Sequence, residues 1–289
     1  MRNVTVIGAG RVGGALAIAL SRAGYAIERV VHRGDRFVEL LRKNLPETTV
    51  FAAEAAPGPE IVIIASGDPE IRGIAESLAS SGIVPGYTFH TSGSLSSDEL
   101  SPLAELGSRT ASLHPLAALS DPIAGVDRLR GAYFCVEGQP EALRLAEKIV
   151  SDLGGRPFSI PTGSKALYHA SAVMAAGHVV ALFGAAVNML ERCGLSPVEA
   201  ADVLRPLTTG SVANLSHASP AEALTGPYAR GDAGALARHL EAFGAAGIDD
   251  GSADLYLELA LRSVDLMIEA GRPFEDLRRR IVMAKRAAE

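Results

Sequence analysis

The first 160 residues alternate between two hydrophobic patterns. Short apolar runs rich in Val, Ile and Thr occupy 3–9, 27–33, 48–52, 60–66, 87–93, 109–115, 132–138 and 156–161. Their length and β-branched content predict strands. Between them, 12–25, 35–45, 69–82 and 140–154 carry apolar residues at helical spacing, and Gly24 and Pro46 close the first two. Strands that are apolar almost throughout, alternating with helices, predict a mostly parallel sheet covered on both faces.

The pattern changes at Pro161, after which no convincing strand appears. Ser196-Pro197-Val198-Glu199 reads as a capping box with proline in the first turn, and Ser219-Pro220-Ala221-Glu222 repeats it. Over 252–271, Ala253, Tyr256, Leu257, Ala260, Val264, Met267 and Ile268 fall on one helical stripe. The expected architecture is an α/β Rossmann domain over 1–161, its sheet doubly wound, followed by an all-helical domain over 162–289.

The segment 161–194 stands apart, with no charged side chain between Lys165 and Glu191. It is long enough to cross a bilayer. It is built from Ala and Gly, however, and carries His169, His178 and Asn188, so a buried central helix is expected and no membrane span. A lysine at a helix start opposes the macrodipole, at a cost of roughly 0.3–1 kcal/mol. Something must compensate for it.

Gly8, Gly10 and Gly13 follow the first strand and open the first helix. In that setting the first glycine makes the turn, the second admits a pyrophosphate and the third packs helix on strand. Arg11 and Val12 complete the helix N-terminus, whose free amides favour an anion. The second strand ends in His32 and Arg33, with Arg36 close behind, where an NAD site usually carries an acidic residue. Arginines suit a 2′-phosphate, so NADP(H) is expected over NAD.

In a doubly wound sheet the ligand lies beyond the carboxyl ends of the strands. Ser66, Gly67 and Asp68 are expected beside the cofactor, and Ser92 and Ser112 beside a substrate, with Thr91 adjacent. His114, held extended by Pro115, is a candidate hydrogen-bond donor or proton relay, the alternative being a ring satisfied by backbone. Lys165 and His169 share a helical face, while His178 points elsewhere, into core or interface. Hydride reduction of a carbonyl needs a proton donor and a positive field at the developing alkoxide, and Lys165 offers both. The bland alternative is an exposed lysine. Arg230 is a candidate for a substrate carboxylate. Asp232 reads as a helix cap, with His239 two turns into that helix.

Composition narrows the classes. A net charge of −6 argues against nucleic-acid binding, and Arg278-Arg279-Arg280 reads as a solvated helix face. The only cysteines, Cys135 and Cys193, fall in a strand and at a helix end, so no disulfide is expected and a cytoplasmic location fits. No metal site is expected.

The stretches GAGRVGGALA, SLHPL, GSKALYHASAV and ALTGPYARGD together resemble Rossmann-like proteins that carry the domain of unknown function 2520. The resemblance covers essentially the whole chain and implies an NADP-dependent oxidoreductase whose helical domain forms a homodimer. Reduction of 2-dehydropantoate is its attractive substrate assignment. Lys165 is also similar to the catalytic lysine of β-hydroxyacid dehydrogenases, although His169 replaces their asparagine. The LHP stretch is similar to one in prephenate dehydrogenases. The expected activity is reduction of a small carboxylate-bearing 2-oxo acid by NADPH, Lys165 giving the proton and His169 and His114 orienting or relaying. The alternatives are an imine reductase of the pyrroline-5-carboxylate type, a cofactor F420 reductase and a non-catalytic NADP-binding regulator.

Overall fold

A computed structural model describes residues 3–32, 34, 36–52, 60–248 and 251–288. It divides into two compact units, 1–177 and 178–289. The first begins β1 (Asn3–Ile7), α1 (Arg11–Arg22), β2 (Ala26–His32), α2 (Val38–Asn44), β3 (Thr49–Ala52) and β4 (Ile61–Ile64). It continues through α3 (Asp68–Ser80), β5 (Tyr87–His90), α4 (Ser101–Ala104), β6 (Arg109–Leu116) and α5 (Pro122–Leu129). Then come β7 (Tyr133–Gly138), α6 (Pro140–Asp152), β8 (Arg156–Ser159) and α7 (Lys165–Ala175).

Among the described residues the strands form one eight-stranded sheet in the order β3-β2-β1-β4-β5-β6-β7-β8. All pairs are parallel except β6 with β7. β4 explains the double winding. Its four residues are all buried, Ile61 and Ile63 in the main core with α1, Val62 and Ile64 in a second core with Ile71, Leu78 and Leu103. Alternate side chains of one strand thus serve both faces. The order reverses between β1 and β4, which leaves a crevice at their carboxyl ends.

The helices α4 and α5 are not part of the sequence expectation, being short. Asp121 caps α5, its Oδ1 accepting from the amides of Ile123 and Ala124 at 2.9 Å. Small residues let α5 lie against α1: a Cβ on Gly125 would sit 2.8 Å from the Ala15 Cβ.

The second unit holds most of α8 (Gly177–Arg192), then α9 (Pro197–Asn214), α10 (Pro220–Ala223), α11 (Ala233–Ala246), α12 (Ser252–Glu269) and α13 (Glu275–Ala288). Both expected capping boxes are present in full, at Ser196 with Glu199 and at Ser219 with Glu222. Leu257, Ala260 and Val264 of α12 form its core with Tyr228, Leu236, Leu277 and Ile281. The basic run is a solvated face: Arg279 and Arg280 pair with Asp276, and Arg278 with Asp265.

The apolar segment differs from expectation. It is two helices, broken at Ala176 (φ −125°, ψ −70°), rather than one. Lys165 is the one buried residue of α7 and α8 has none, so the expected buried central helix is exposed in the single chain. His178 is exposed at the start of α8 and joins none of the cores formed by the described residues, which leaves the interface expectation standing. By length and mean hydropathy (1.8) the stretch Thr162–Arg192 is apolar enough to cross a bilayer. A chain with too few charges to solvate this face leaves it available for another surface.

Candidate functional site

The glycine turn owes its shape to steric necessity. Gly8 has φ +109°, and a Cβ there would lie 2.5 Å from the Ala65 carbonyl oxygen. A Cβ on Gly13 would run into the Gly8 carbonyl oxygen. At Gly10 a Cβ meets nothing within 4 Å. Two glycines are therefore needed to close the turn, while the third leaves open space in front of α1. No side chain caps that helix and its first turn holds no acidic residue, so its amides are presented to the space.

The turn borders a cleft of about 1140 Å³. Of the expected cofactor residues, Gly8, Gly10, Arg11, His32, Arg36, Ser66 and Gly67 line it. Val12 packs inward against the core. Arg33 lies outside the described residues. Asp68 turns to another partner, its carboxylate accepting from Ser94 Oγ at 2.5 Å. Two buried polar atoms have no hydrogen-bond partner among the described residues, His32 Nδ1 and Ser66 Oγ. Both residues line this cleft. Buried polar groups are rarely left unpaired, and orphans that share a cleft mark where a polar ligand completes them. The Arg36 guanidinium lies over the Phe37 ring at 4.9 Å, on the rim beside His32. The cleft thus carries an uncapped helix N-terminus, an arginine side chain and two polar orphans, groups that could hold the phosphates of a dinucleotide.

A second group forms where β5, β6 and α7 meet within the first unit. Lys165, the first residue of α7, is 2% exposed. Its Nζ donates to the Ser92 carbonyl at 2.9 Å and to Ser112 Oγ at 2.8 Å. These acceptors answer the unfavourable macrodipole and the desolvation of the charge. Burial pushes the Lys165 pKa below its ordinary value, against the pull of Cys135, Glu137 and Asp68.

Tyr168 and His169, three and four residues on, follow the lysine round the helix. Tyr168 Oη lies 2.7 Å from His114 Nδ1, and the Lys165 ammonium is 5.7 Å above the Tyr168 ring. The His169 and His114 rings meet edge to face at 6.0 Å. Gly93 is wedged beside them: a Cβ there would come within 2.5 Å of His169 Cδ2 and 2.8 Å of His114 Nε2. Burial first, then the Lys165 and His169 charges, pushes His114 down to about 3, so its ring is neutral near pH 7. Burial also raises the Tyr168 hydroxyl well above the ordinary phenol range.

Beneath these, His90 is fully buried and held down at about 4 by desolvation. Its Nδ1 accepts from the Ser92 amide at 3.2 Å, so its Nε2 carries the proton and donates to the Ser96 carbonyl at 3.0 Å. The loop after β5 is thereby fixed at both ends. Ser92 Oγ accepts from the amides of Ser94 and Leu95, and Ser94 reaches Asp68 at the start of α3. Hydrogen bonds link the start of α3, through Ser94, to the Ser92 side chain, whose carbonyl accepts from Lys165.

The structure brings Lys165, His169, His114, Ser92 and Ser112 together. Arg230 lies in the second unit, exposed, in the turn before α11. Asp232 caps α11, its Oδ1 accepting from Ala235 at 2.9 Å. His239 Nδ1 meets Tyr256 Oη at 2.5 Å, and Tyr228 donates to the same hydroxyl at 2.8 Å. Tyr168 and His90 are the members that the sequence expectation omits. Tyr168 sits one helical turn from Lys165 in SKALYHA, and its spacing is the signal that could have found it.

Residues 1–115 match a Rossmann-like domain, and residues 132–263 match the domain of unknown function DUF2520. No curated protein matches the chain. Among solved structures, it is similar to BF3122 of Bacteroides fragilis, provisionally named an NADP oxidoreductase. The two are 23% identical with a TM-score of 0.71, over 91% of this chain and 98% of that one. Protein TM1727 of Thermotoga maritima is 22% identical with a TM-score of 0.70, over 93% and 100%. A Plasmodium falciparum pyrroline carboxylate reductase, solved with NADP bound, is 13% identical with a TM-score of 0.56, over 92% and 98%.

Proposed function

We propose that this chain, a Rossmann-like domain followed by a domain of unknown function DUF2520, is an NADPH-dependent reductase of a small carboxylate-bearing 2-oxo acid. The observation that carries the reading is the buried Lys165, hydrogen-bonded to the strand-end loop and grouped with His114 and His169. A fold shared with a reductase solved with NADP supports it. Gly8, Gly10 and Arg11 would hold the pyrophosphate, and His32 and Arg36 the 2′-phosphate. NADPH bound there would supply a hydride from its nicotinamide to the carbonyl carbon, itself being oxidised to NADP+. The carbonyl oxygen of the substrate then gains an electron pair and takes one proton.

Lys165 is the proton source, burial having lowered its pKa towards the pH of the solution. Its charge also stabilises the developing alkoxide in a site shielded from water. His169 and His114 orient the substrate oxygen or relay the proton. Ser92 and Ser112 hold the lysine. The second reading is reduction of a cyclic imine, favoured by the fold shared with the pyrroline carboxylate reductase.

The assay is NADPH oxidation against 2-oxo acids headed by 2-dehydropantoate, with cyclic imines in parallel. Turnover on an oxo acid that Lys165→Ala lowers by about 10²-fold or more supports the first reading. Turnover on imines alone supports the second. NADPH bound but never oxidised leaves a cofactor-binding regulator. We further propose a homodimer closed over the exposed apolar face of α8 and α9, in a reducing cytoplasm that keeps Cys135 and Cys193 free.

A further inference from the structure

We propose that Tyr168 is a positioning residue, holding His114 as a neutral imidazole whose Nε2–H is presented to the substrate oxygen; this rests on the reductase reading above. Tyr168 Oη lies 2.7 Å from His114 Nδ1, with the two rings almost perpendicular at 81°. Of the two neutral partners the phenol is the better donor, so its O–H donates and Nδ1 accepts. The ring proton of His114 then sits on Nε2. Two contacts hold the tyrosine in this role. Phe158 of β8 meets its ring edge to face at 5.8 Å, and the Lys165 ammonium stands 5.7 Å over that ring. A cation against the phenol favours giving a proton over accepting one.

The other edge of His114 is the one left for a ligand. Nε2 lies beside Gly93 and the edge of His169, where a Cβ on Gly93 would come within 2.8 Å of it. A neutral imidazole donor can stabilise an alkoxide without changing charge across physiological pH, provided that its tautomer is fixed. Burial first, with the Lys165 charge adding to it, keeps His114 neutral down to about pH 3. Lys165, by contrast, is enclosed and tied to Ser92 and Ser112. The lysine sets the field and supplies the proton, and His114 holds the substrate oxygen in place.

The test pairs a spectroscopic readout with kinetics. In ¹⁵N-histidine-labelled protein without ligand, assigned with His114→Gln, the His114 ring is expected as a single Nε2–H tautomer at pH 7. Tyr168→Phe is expected to keep the melting temperature within a few degrees while the ring passes to a tautomer mixture. On whichever oxo acid or imine turns over, Tyr168→Phe should lower kcat on the order of tenfold or more and leave KM nearly unchanged. Should Tyr168→Phe fold poorly, His114→Gln, which retains an N–H near the Nε2 position, is expected to keep more turnover than His114→Leu. An Nδ1–H tautomer in the parent, a tautomer untouched by Tyr168→Phe, or equal turnover of the Gln and Leu variants would overturn the inference. Failure of the parent to turn over any oxo acid or imine would remove the reductase reading, and the inference with it, whatever the tautomer.

Discussion

The glycines of one turn serve two different physical ends, and substitution separates them. Gly13 has no room for a methyl group because the Gly8 carbonyl stands in the way. Gly13→Ala is therefore expected to damage both stability and cofactor affinity, through overpacking at about 1–3 kcal/mol. Gly10 has room on every side within the protein alone. Gly10→Ala should leave the melting temperature nearly unchanged, yet weaken NADPH binding measured by fluorescence about tenfold or more. If Gly10→Ala bound NADPH as tightly as the parent, the space before α1 would not be the pyrophosphate site. Gly93 belongs to the same kind of residue, its missing side chain making room for two histidines.

Strand ends, rather than whole strands, carry the chemistry. His90 ends β5, His114 lies towards the end of β6, and each has its ring drawn in among groups that no solvent reaches well. Their pH linkage has a definite sign. An unfolded imidazole binds a proton near its ordinary 6.5, whereas the folded His90 stays neutral to about 4 and His114 to about 3. The unfolded state holds more protons between these values, so stability is full above pH 6.5 and falls as the pH is lowered. The expected slope is ~1.4 kcal/mol per pH unit for each histidine. Urea unfolding between pH 6.5 and 5 measures it, and His90→Gln should flatten the curve. A parent as stable at pH 5 as at 6.5 would show that these rings are not held neutral.

At the scale of the molecule, the notable feature is an apolar surface. Val198, Val203, Leu207, Val212 and Leu215 of α9 and its end are more than half exposed, as is Val180 of α8. Exposed apolar area costs roughly 25 cal/mol per Å² relative to burial, so this many exposed apolar side chains call for a cover. A second copy of the chain is the proposed cover. His178 and Asn188 are polar positions in α8 and the backbone breaks at Ala176, both of which suit a protein surface better than a bilayer. Sedimentation at micromolar concentration is expected to give a dimer for the parent and a monomer for Leu207→Glu. A monomeric parent would leave the face to some other partner.

How much of this was legible in the chain follows from the range of each interaction. Strand and helix alternation, the GxGxxG turn, both capping boxes and the Asp232 cap depend on residues a few positions apart, and all could be read from the sequence. The weakly patterned α4 and α5 could not, because short helices owe more to packing than to propensity. Lys165 was marked out by being a charge at the head of an uncharged stretch, but its burial was not visible. Its acceptors lie 73 and 53 residues away, on a loop and a strand that only the sheet order brings to it. The same holds for Tyr168 with His114, 54 residues apart. Local chemistry writes turns, caps and elements directly into the sequence. Which buried polar groups satisfy one another is decided only when the sheet closes, since burial itself is what makes those partners necessary.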